Sequence, residues 1–321
     1  MSGLVNKEKC RNTSQAKCRL PEDRHGVSVI LKLVAAFILA VFAMHSVANS
    51  TDDKLLRTGW YLSGGIGVAW GPDMKQDGWN RDTFCYPDAA CFNQDPIPNV
   101  SGFNWFYDIG LDRGTAFEFS MGRFVGRTRI ELAFSQQASE TSQSFTGITY
   151  LDGSVIRTRP NGTVNSNGQG SIDHRRVRSV TLDAYFDFPD IWNSITPYIG
   201  AGIGQASVEM VGVRYSTEYQ DLPSAVEVYD PPLSFYDSIQ DADLKDNAIT
   251  WRVHAGADYV MNRVTSLGLR LTWSATEDIE VSGSYETHPM HEAEPSFMNL
   301  NAFSDVSSWS LMLSFRRVID L

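Results

Sequence analysis

The sequence from residue 49 onward lacks the two patterns that predict helical proteins. No segment there repeats apolar residues with a period of about 3.6, and no run reaches about 18 consecutive apolar residues. These absences argue against a helical bundle and against a protein that crosses a membrane with helices. The remaining classes are built from strands.

Basic residues are also scarce. Residues 1–48 hold seven of the 27 lysines and arginines but only three of the 38 acidic residues. The chain from residue 49 therefore carries 20 basic and 35 acidic residues, a net charge of −15. Because nucleic-acid backbones call for a basic surface, we predict no nucleic-acid partner.

An apolar segment near the N terminus predicts export. Residues 27–48 read VSVILKLVAAFILAVFAMHSVA and end in small residues of the kind found at a cleavage site. We predict a signal peptide over residues 1–48, cleaved near Ala48, and a single domain over residues 49–321. Such a signal places the mature chain in a compartment that permits disulfides.

The same segment has one structural alternative and one irregularity. An uncleaved membrane anchor is the alternative, but Lys32 leaves about a dozen strongly apolar residues where a spanning helix needs about 20. The stretch before Val27 is polar, holds Cys10 and Cys18, and is long for a signal peptide. A misassigned start upstream of Val27 would explain it.

Cysteine is rare in the exported part. Only Cys85 and Cys91, in TFCYPDAACF, remain after cleavage. In an exported chain this pair favours one local disulfide that closes a small loop. A metal site is the alternative, although no histidine lies near the two cysteines in the sequence.

The stretch TPYIGAGIG, residues 196–204, raises the question of a dinucleotide-binding loop. That loop has the pattern G-x-G-x-x-G and opens a helix. Here the third glycine comes one position early, and residues 205–211 contain no helix start. We therefore interpret the stretch as a strand with a glycine face, predict no cofactor, and expect bulky side chains from other strands to crowd that face.

Apolar and polar residues alternate with a period of two along the whole domain, which predicts eight strands. One face of each strand is nearly free of charge over about ten residues. The predicted strands are GWYLSGGIGVAW (59–70), TAFEFSMGRF (115–124), TRIELAFSQ (128–136), RSVTLDAYFDF (178–188), TPYIGAGIGQASVEM (196–210), AITWRVHAGADYVM (248–261), SLGLRLTWSA (266–275) and SSWSLMLSFRRVIDL (307–321).

Short and long connections alternate between these strands, as in a membrane β-barrel. A soluble β-sandwich is the alternative, but strands of about ten residues exceed the usual five or six, and aromatic residues at the ends of the apolar faces are typical of membrane interfaces. We predict an all-β, eight-stranded antiparallel up-and-down transmembrane β-barrel with three short periplasmic turns and four long extracellular loops. The loops are expected near residues 71–113, 137–176, 212–247 and 275–304.

The signal peptide and the segments GWYLSGGIGVAW, RIELAFS, TPYIGAGIG, HAGADYVM and SWSLMLSFR resemble eight-stranded outer-membrane β-barrels of Gram-negative bacteria. The opacity-protein and OmpA-like surface-antigen barrels are the nearest families. The resemblance implies location in the cell outer membrane and recognition of the C-terminal strand by the assembly machinery. Family members usually end on an aromatic residue, whereas this chain continues past Phe315, so the assembly signal is either Phe315 or Leu321.

A barrel of eight strands has an interior just wide enough for its own side chains. The inward-facing positions hold both acids and bases, so we predict a network of ion pairs and hydrogen bonds that fills the lumen. The members of this predicted lumen network are Glu118, Arg129, Glu131, Asp183, Tyr185, Asp187, Arg252, His254, Asp258 and Arg270.

The sequence predicts neither a catalytic site nor a metal site. His254 and Ser274 are the candidates for a lipid-modifying enzyme, but both have inward parity and no oxyanion hole is marked. ETHPMHEAEP, residues 286–295, groups two histidines with glutamates, yet the proline between the histidines excludes helical ligand spacing. We interpret this segment as a solvated acidic loop.

Function is therefore expected in the loops, which hold most of the acidic residues. The first hypothesis is a non-enzymatic outer-membrane surface protein whose loops contact lipopolysaccharide, host molecules or neighbouring cells. The alternative is a narrow porin-like channel, and a lipid-modifying outer-membrane enzyme is a third, less favoured hypothesis. The paired charges expected inside the barrel argue against a wide pore.

Overall fold

The computed structural model describes residues 58–159, 164–188, 195–221, 229–262, 264–283, 286–287 and 299–319. The predicted signal peptide and the two histidines of residues 286–295 lie outside the described residues. No helix in the described part of the chain is long and apolar enough to cross a membrane.

The described elements are two short 3-10 helices, Ala90–Asn93 and Leu233–Tyr236, and the strands β1 Gly59–Trp70, β2 Met74–Asn80, β3 Phe103–Leu111, β4 Gly114–Val125, β5 Thr128–Tyr150, β6 Val164–Ser171, β7 His174–Asp187, β8 Ile195–Asp221, β9 Ser238–Val260, β10 Thr265–Thr276, β11 Ile279–Gly283, β12 Glu286–Thr287, β13 Asn299–Ser304 and β14 Ser307–Ile319.

Eight of these strands pair in a closed ring. The order around the ring is β1, β4, β5, β7, β8, β9, β10 and β14, and every pairing is antiparallel. The first and last strands close it, from Trp60 opposite Ile319 to Trp70 opposite Trp309. A closed ring leaves no unpaired sheet edge. The predicted all-β antiparallel architecture is confirmed.

The long connections contain more strand than the sequence predicts. The segment 71–113 contains β2 and β3, the segment 275–304 contains β11, β12 and β13, and β8 and β9 remain paired well beyond the expected strand ends. The described part of the chain therefore contains 14 strands, eight of which form the ring. The extra pairing uses backbone groups that any residue supplies, and strands with polar residues on both faces show no alternation for a sequence pattern to detect.

These additions form an upper tier above the ring, at the end where the long connections lie. It consists of β2, β3, β6, β11 and β13 with the extended parts of β5, β8 and β9. Unlike the ring, the upper tier encloses an apolar core, whose fully buried members include Met74, Ile109, Met210, Leu244 and Phe303. From the ring to the apolar core of the upper tier, the buried interior of the described chain thus changes from polar to apolar.

The glycine face of β8 makes room for side chains of the neighbouring strand. Gly200 lies opposite Tyr185, and Gly202 lies opposite Asp183. A methyl group added at Gly200 would collide with the Tyr185 ring, and one added at Gly202 would collide with the Asp183 carboxylate. The predicted crowding is confirmed, and its source is the adjacent strand β7.

Candidate functional site

The ring has an apolar exterior. Large hydrophobic side chains at alternate positions of its strands are between 37% and 62% exposed, although such residues are normally buried in water-soluble proteins. This set is called the outer belt. Its members are Leu62, Ile66, Val68, Phe117, Phe119, Met121, Leu132, Phe134, Val180, Phe186, Ile199, Ile203, Ile249, Trp251, Val253, Tyr259, Leu267, Leu269, Trp309, Leu311, Leu313 and Phe315.

The interior of the ring is polar, and the alternation of each strand directs its charged residues there. All ten residues of the predicted lumen network are buried, the most exposed of them at 8%. Glu118 comes from β4, Arg129 and Glu131 from β5, and Arg270 from β10; the remaining members lie on β7 and β9. The ten residues come from five strands of the ring, and their burial agrees with the inward parity that the sequence predicts.

One group of charges lies near the short connections of the ring. Arg129 Nη1 donates to Asp258 Oδ2 at 2.8 Å, and Arg129 Nε lies 3.3 Å from Asp187 Oδ1. Arg316 also donates to Asp258 Oδ2. The Arg129 guanidinium lies 4.0 Å from the centroid of the Tyr198 ring, a cation–π contact. Two arginines and two carboxylates therefore share this level.

The central group is organised around two glutamates. Glu118 accepts hydrogen bonds from both Arg252 and Arg270. Glu131 lies 4.0 Å from Arg270 Nη1 and 3.7 Å from Arg316 Nη2. Each carboxylate thus faces two guanidinium groups, which is the arrangement that compensates buried charge.

Hydroxyl groups complete the hydrogen bonding of the network. Tyr61 Oη donates to Glu131 Oε1 at 2.7 Å, and Ser120 Oγ donates to Glu131 Oε2 at 3.1 Å. Arg270 Nη1 donates to Tyr185 Oη at 3.1 Å. These contacts tie β1, β4, β5, β7 and β10 to one another across the lumen.

The third group lies nearer the upper tier and contains the one histidine of the predicted network. Arg252 Nη1 lies 3.7 Å from Asp183 Oδ2 and donates to Thr181 Oγ1 at 2.8 Å. His254 contacts Asp183 Oδ1 through Nε2 at 3.4 Å and Thr272 Oγ1 through Nδ1 at 3.0 Å. Both ring nitrogens therefore have partners inside the buried network.

The structure does not join His254 to Ser274. Ser274 lies opposite Arg252 in the β9–β10 ladder, and its hydroxyl contacts Ser308 Oγ at 3.0 Å. Among the described residues, no group of three or more His, Cys, Asp or Glu side chains could hold a metal ion. The charged groups of the lumen are held in place by ion pairs with one another.

Besides the hydroxyl residues, three large members of the network were not among the sequence-predicted residues: Arg316, Tyr61 and Tyr198. Each is buried, with exposures of 3%, 0% and 2%. Arg316 has the parity opposite to Phe315, and Tyr61 has the parity opposite to Trp60 and Leu62, so strict parity would have found both. Tyr198 lies at the start of β8 and has the parity of Gly200, so the same rule places it on the inner face.

A second polar layer lies in the upper tier, beyond its apolar core. Gln76 Nε2 donates to Asn301 Oδ1 at 2.9 Å and also contacts Tyr215 Oη, and Gln143 Nε2 donates to Gln76 Oε1 at 2.8 Å. Burial raises the pKa of Tyr215 to about 12, because the charged phenolate loses its hydration there. Tyr215 is consequently neutral at physiological pH and acts as a hydrogen-bond partner.

Cys85 and Cys91 lie beyond this layer, in the first long connection. A disulfide joins them, with their Cα atoms 6.1 Å apart. Next to it, the Tyr86 ring stacks on Tyr219 at a centroid distance of 5.6 Å, and the edge of Tyr236 packs against it at 6.5 Å. The disulfide and these rings link the first long connection to the extended end of β8.

No family model matches the chain, and no curated protein matches it. Among solved structures, the chain is similar to the outer membrane protein OprG from Pseudomonas aeruginosa, with 14% identity, coverage of 83% of this chain and 98% of that chain, and a TM-score of 0.44. It is also similar to Neisserial surface protein A, with 11% identity, coverage of 81% and 97%, and a TM-score of 0.34. The attachment invasion locus protein Ail of Yersinia pestis follows with 10% identity, coverage of 80% and 99%, and a TM-score of 0.29. Because these TM-scores are low, the architecture rests on the chain's own strand pairing.

Proposed function

We propose that the chain is a non-enzymatic outer-membrane surface protein, an eight-stranded up-and-down barrel that crosses the membrane with a filled lumen. The observation that carries the proposal is the inverted distribution of side chains, apolar and exposed outside, charged and buried inside. In water the outer belt would be an unusually large apolar patch. In a bilayer the same belt is solvated by lipid. Closure of the ring gives the backbone N–H and C=O groups of every strand hydrogen-bond partners on the neighbouring strands.

The orientation follows from the connections. The short connections of the ring lie at the same end as Gly59 and Ile319, and the upper tier lies at the opposite end. Outer-membrane barrels carry short turns on the periplasmic side and long loops outside. We therefore place the upper tier, with the disulfide between Cys85 and Cys91, on the cell exterior.

The filled lumen supports a surface protein over a channel. Arg252 and Arg270 meet Glu118 at the centre of the ring, and the apolar core around Met210 and Leu244 lies above them. An ion would have to displace paired charges and then cross an apolar layer, both of which cost free energy. The narrow-channel hypothesis predicts the contrary, a continuous polar path.

The proposal that the chain is not an enzyme rests on the partners of the polar residues. His254 is held by Asp183 and Thr272, and Ser274 by Ser308. A nucleophile and its base need a mutual hydrogen bond and access to substrate. Thr272 does share a hydrogen bond with His254, but both residues are buried at 1% exposure and therefore lack that access.

The proposed partners lie at three surfaces. The outer belt contacts outer-membrane lipid and lipopolysaccharide, and the upper tier faces host or neighbouring-cell molecules. The assembly machinery recognises the C-terminal strand β14. Phe315 on β14 is 48% exposed on the belt, which suits such recognition, whereas Leu321 lies outside the described residues. Cleavage near Ala48 remains a prediction from the sequence.

Two measurements on one sample test the proposal. The refolded mature chain, residues 49–321, is run unboiled and boiled on a gel and is then added to planar lipid bilayers. A compact unboiled band with no current steps is the expected result. Discrete current steps would favour the channel, and the absence of a band shift would favour a water-soluble β-sandwich.

A further inference from the structure

Arg175 is a buried arginine that the lumen network does not use. It lies on the inner face of β7, is 2% exposed, and is separated from Asp183 by eight residues, or about 26 Å of strand. Its hydrogen bond among the described residues runs from Nη1 to the Met74 sulfur at 3.5 Å. No described carboxylate lies within salt-bridge distance of its guanidinium, and a thioether is a weak acceptor.

The charge on Arg175 is nevertheless retained. Outward-facing residues at this level of β7 include Arg176 and Arg178 rather than apolar side chains, so Arg175 lies outside the membrane-spanning part of the strand. Burial lowers the pKa of Arg175 to about 10, because no carboxylate compensates the lost hydration. At neutral pH the group still carries a positive charge, and a buried charge calls for a partner.

A small polar cavity adjoins this guanidinium, between the lumen network and the apolar core of the upper tier. Its volume is about 20 Å³. Apart from Arg175 and Arg252, most of the side chains around it carry hydroxyl groups. The hydroxyl-bearing residues that line it are Ser135, Ser179, Thr250, Ser274, Thr276, Ser307 and Ser308.

The hydroxyls are already ordered in pairs. Ser135 Oγ lies 2.7 Å from Ser179 Oγ, and Ser274 Oγ lies 3.0 Å from Ser308 Oγ. A hydroxyl rotates to donate or to accept, so these groups adapt to whatever occupies the cavity. Arg252 at the cavity wall is satisfied by Glu118 and Asp183, which leaves Arg175 as the uncompensated charge.

We propose that this cavity binds a small monovalent anion of halide size, which is chloride in ordinary salt solutions. The anion accepts hydrogen bonds from the Arg175 guanidinium and from the surrounding hydroxyls. A water molecule needs about 10–15 Å³ of such space, so the cavity has room for one halide ion. A water molecule would satisfy the hydroxyls but would leave the charge of Arg175 uncompensated.

Bromide provides a direct structural test, because it replaces chloride and scatters anomalously. Crystals of the refolded mature chain grown in sodium bromide are expected to show an anomalous peak in the cavity, within hydrogen-bond distance of Arg175. Crystals of the Arg175→Met variant are expected to show none. Density in the wild-type cavity without an anomalous peak would mean that the site holds water only and would overturn the proposal.

Chloride dependence of unfolding tests the proposal in solution. A ligand at ten times its Kd lowers the unfolding equilibrium constant about 11-fold, so wild type should be more stable in potassium chloride than in potassium gluconate at equal ionic strength. Arg175→Met should lose this difference. Arg178→Met, an exposed residue on the outer face of the same strand, is the matched control and should keep it.

A milder variant covers the case in which Arg175→Met does not refold. Ser308→Ala removes one hydroxyl from the cavity wall and leaves the guanidinium in place. We expect its chloride effect to fall below that of wild type. Equal stability of wild type in chloride and gluconate would refute the anion site without affecting the proposed role as a surface barrel, which the gel and bilayer measurements test.

Discussion

Glu118 and Arg252 form an ion pair across the full width of the ring. They lie 134 residues apart in the chain, on β4 and β9, which are separated by three strands in either direction around the eight-membered ring. Their side chains therefore meet at the centre of the lumen, where both are buried. This one contact connects opposite walls of the ring and fills the centre of its interior.

Replacing Glu118 by alanine should destabilise the protein strongly. Arg252 and Arg270 would each lose their shared carboxylate and remain buried, a change that costs about 3–5 kcal/mol. The free energy of unfolding in urea, followed by tryptophan fluorescence in lipid vesicles, measures the loss. Glu140→Ala, at an exposed position of β5, is the control and should stay close to wild type. Equal stability of the two variants would contradict the structural role of the network.

Gly202→Ala should destabilise through crowding. The added methyl group would meet the Asp183 carboxylate and force it away from Arg252 and His254, and overpacking of this kind costs about 1–3 kcal/mol. Gly64→Ala is the matched control, because a methyl group there has no neighbour within 4 Å. Urea unfolding of both variants checks the difference, and a destabilised Gly64→Ala with an unaffected Gly202→Ala would count against the packing described.

A lysine in the outer belt should lower the free energy of unfolding only where the belt faces hydrocarbon. Phe119→Lys places a charge on an exposed apolar position of β4, and a charge at the bilayer midplane costs about 2–4 kcal/mol. Thr115→Lys, an exposed position on the same face near the upper end of β4, should cost about 0–1 kcal/mol. The free energy of unfolding in lipid bilayers measures the effect of each variant. Equal effects at the two positions would show that the belt does not face lipid.

The mature chain should contain no free thiol. Iodoacetamide is expected to label neither Cys85 nor Cys91 until the protein is reduced, because a disulfide joins them. Opening this short loop should lower stability by about 2 kcal/mol in the chain-entropy model. Mass spectrometry with and without reductant gives the labelling directly. Labelling of both residues without reductant would mean that the disulfide is absent from the exported protein.

The predicted lumen residues follow from parity along the strands, since inward and outward positions alternate along the regular part of a ladder. Tyr61 and Arg316, in the first and last strands of the ring, have the same inward parity but lie outside the predicted set. The upper tier was missed for a different reason. Strands such as β6, with the sequence VNSNGQGS, have no apolar face, and their pairing depends on neighbours that a local pattern does not contain.

The cavity beside Arg175 could not be predicted from the sequence at all. Its wall combines β5, β7, β9, β10 and the start of β14, and the lack of a carboxylate beside Arg175 is a property of the assembled interior. The sequence RRVRS around this residue contains three arginines, and nothing in it distinguishes the buried one from its exposed neighbours except parity. Burial together with the identity of neighbours from distant segments decides the role of such a group.

The central claim, that the apolar face of the strands contacts lipid, is tested most directly at Phe119. A spin label attached to Phe119→Cys in the refolded, disulfide-bonded protein reports its surroundings by collision with oxygen, which concentrates in hydrocarbon, or with a water-soluble nickel complex. In lipid vesicles the label is expected to collide with oxygen and to be shielded from nickel. Strong collision with nickel and little with oxygen would place Phe119 in water and would contradict the barrel in a membrane.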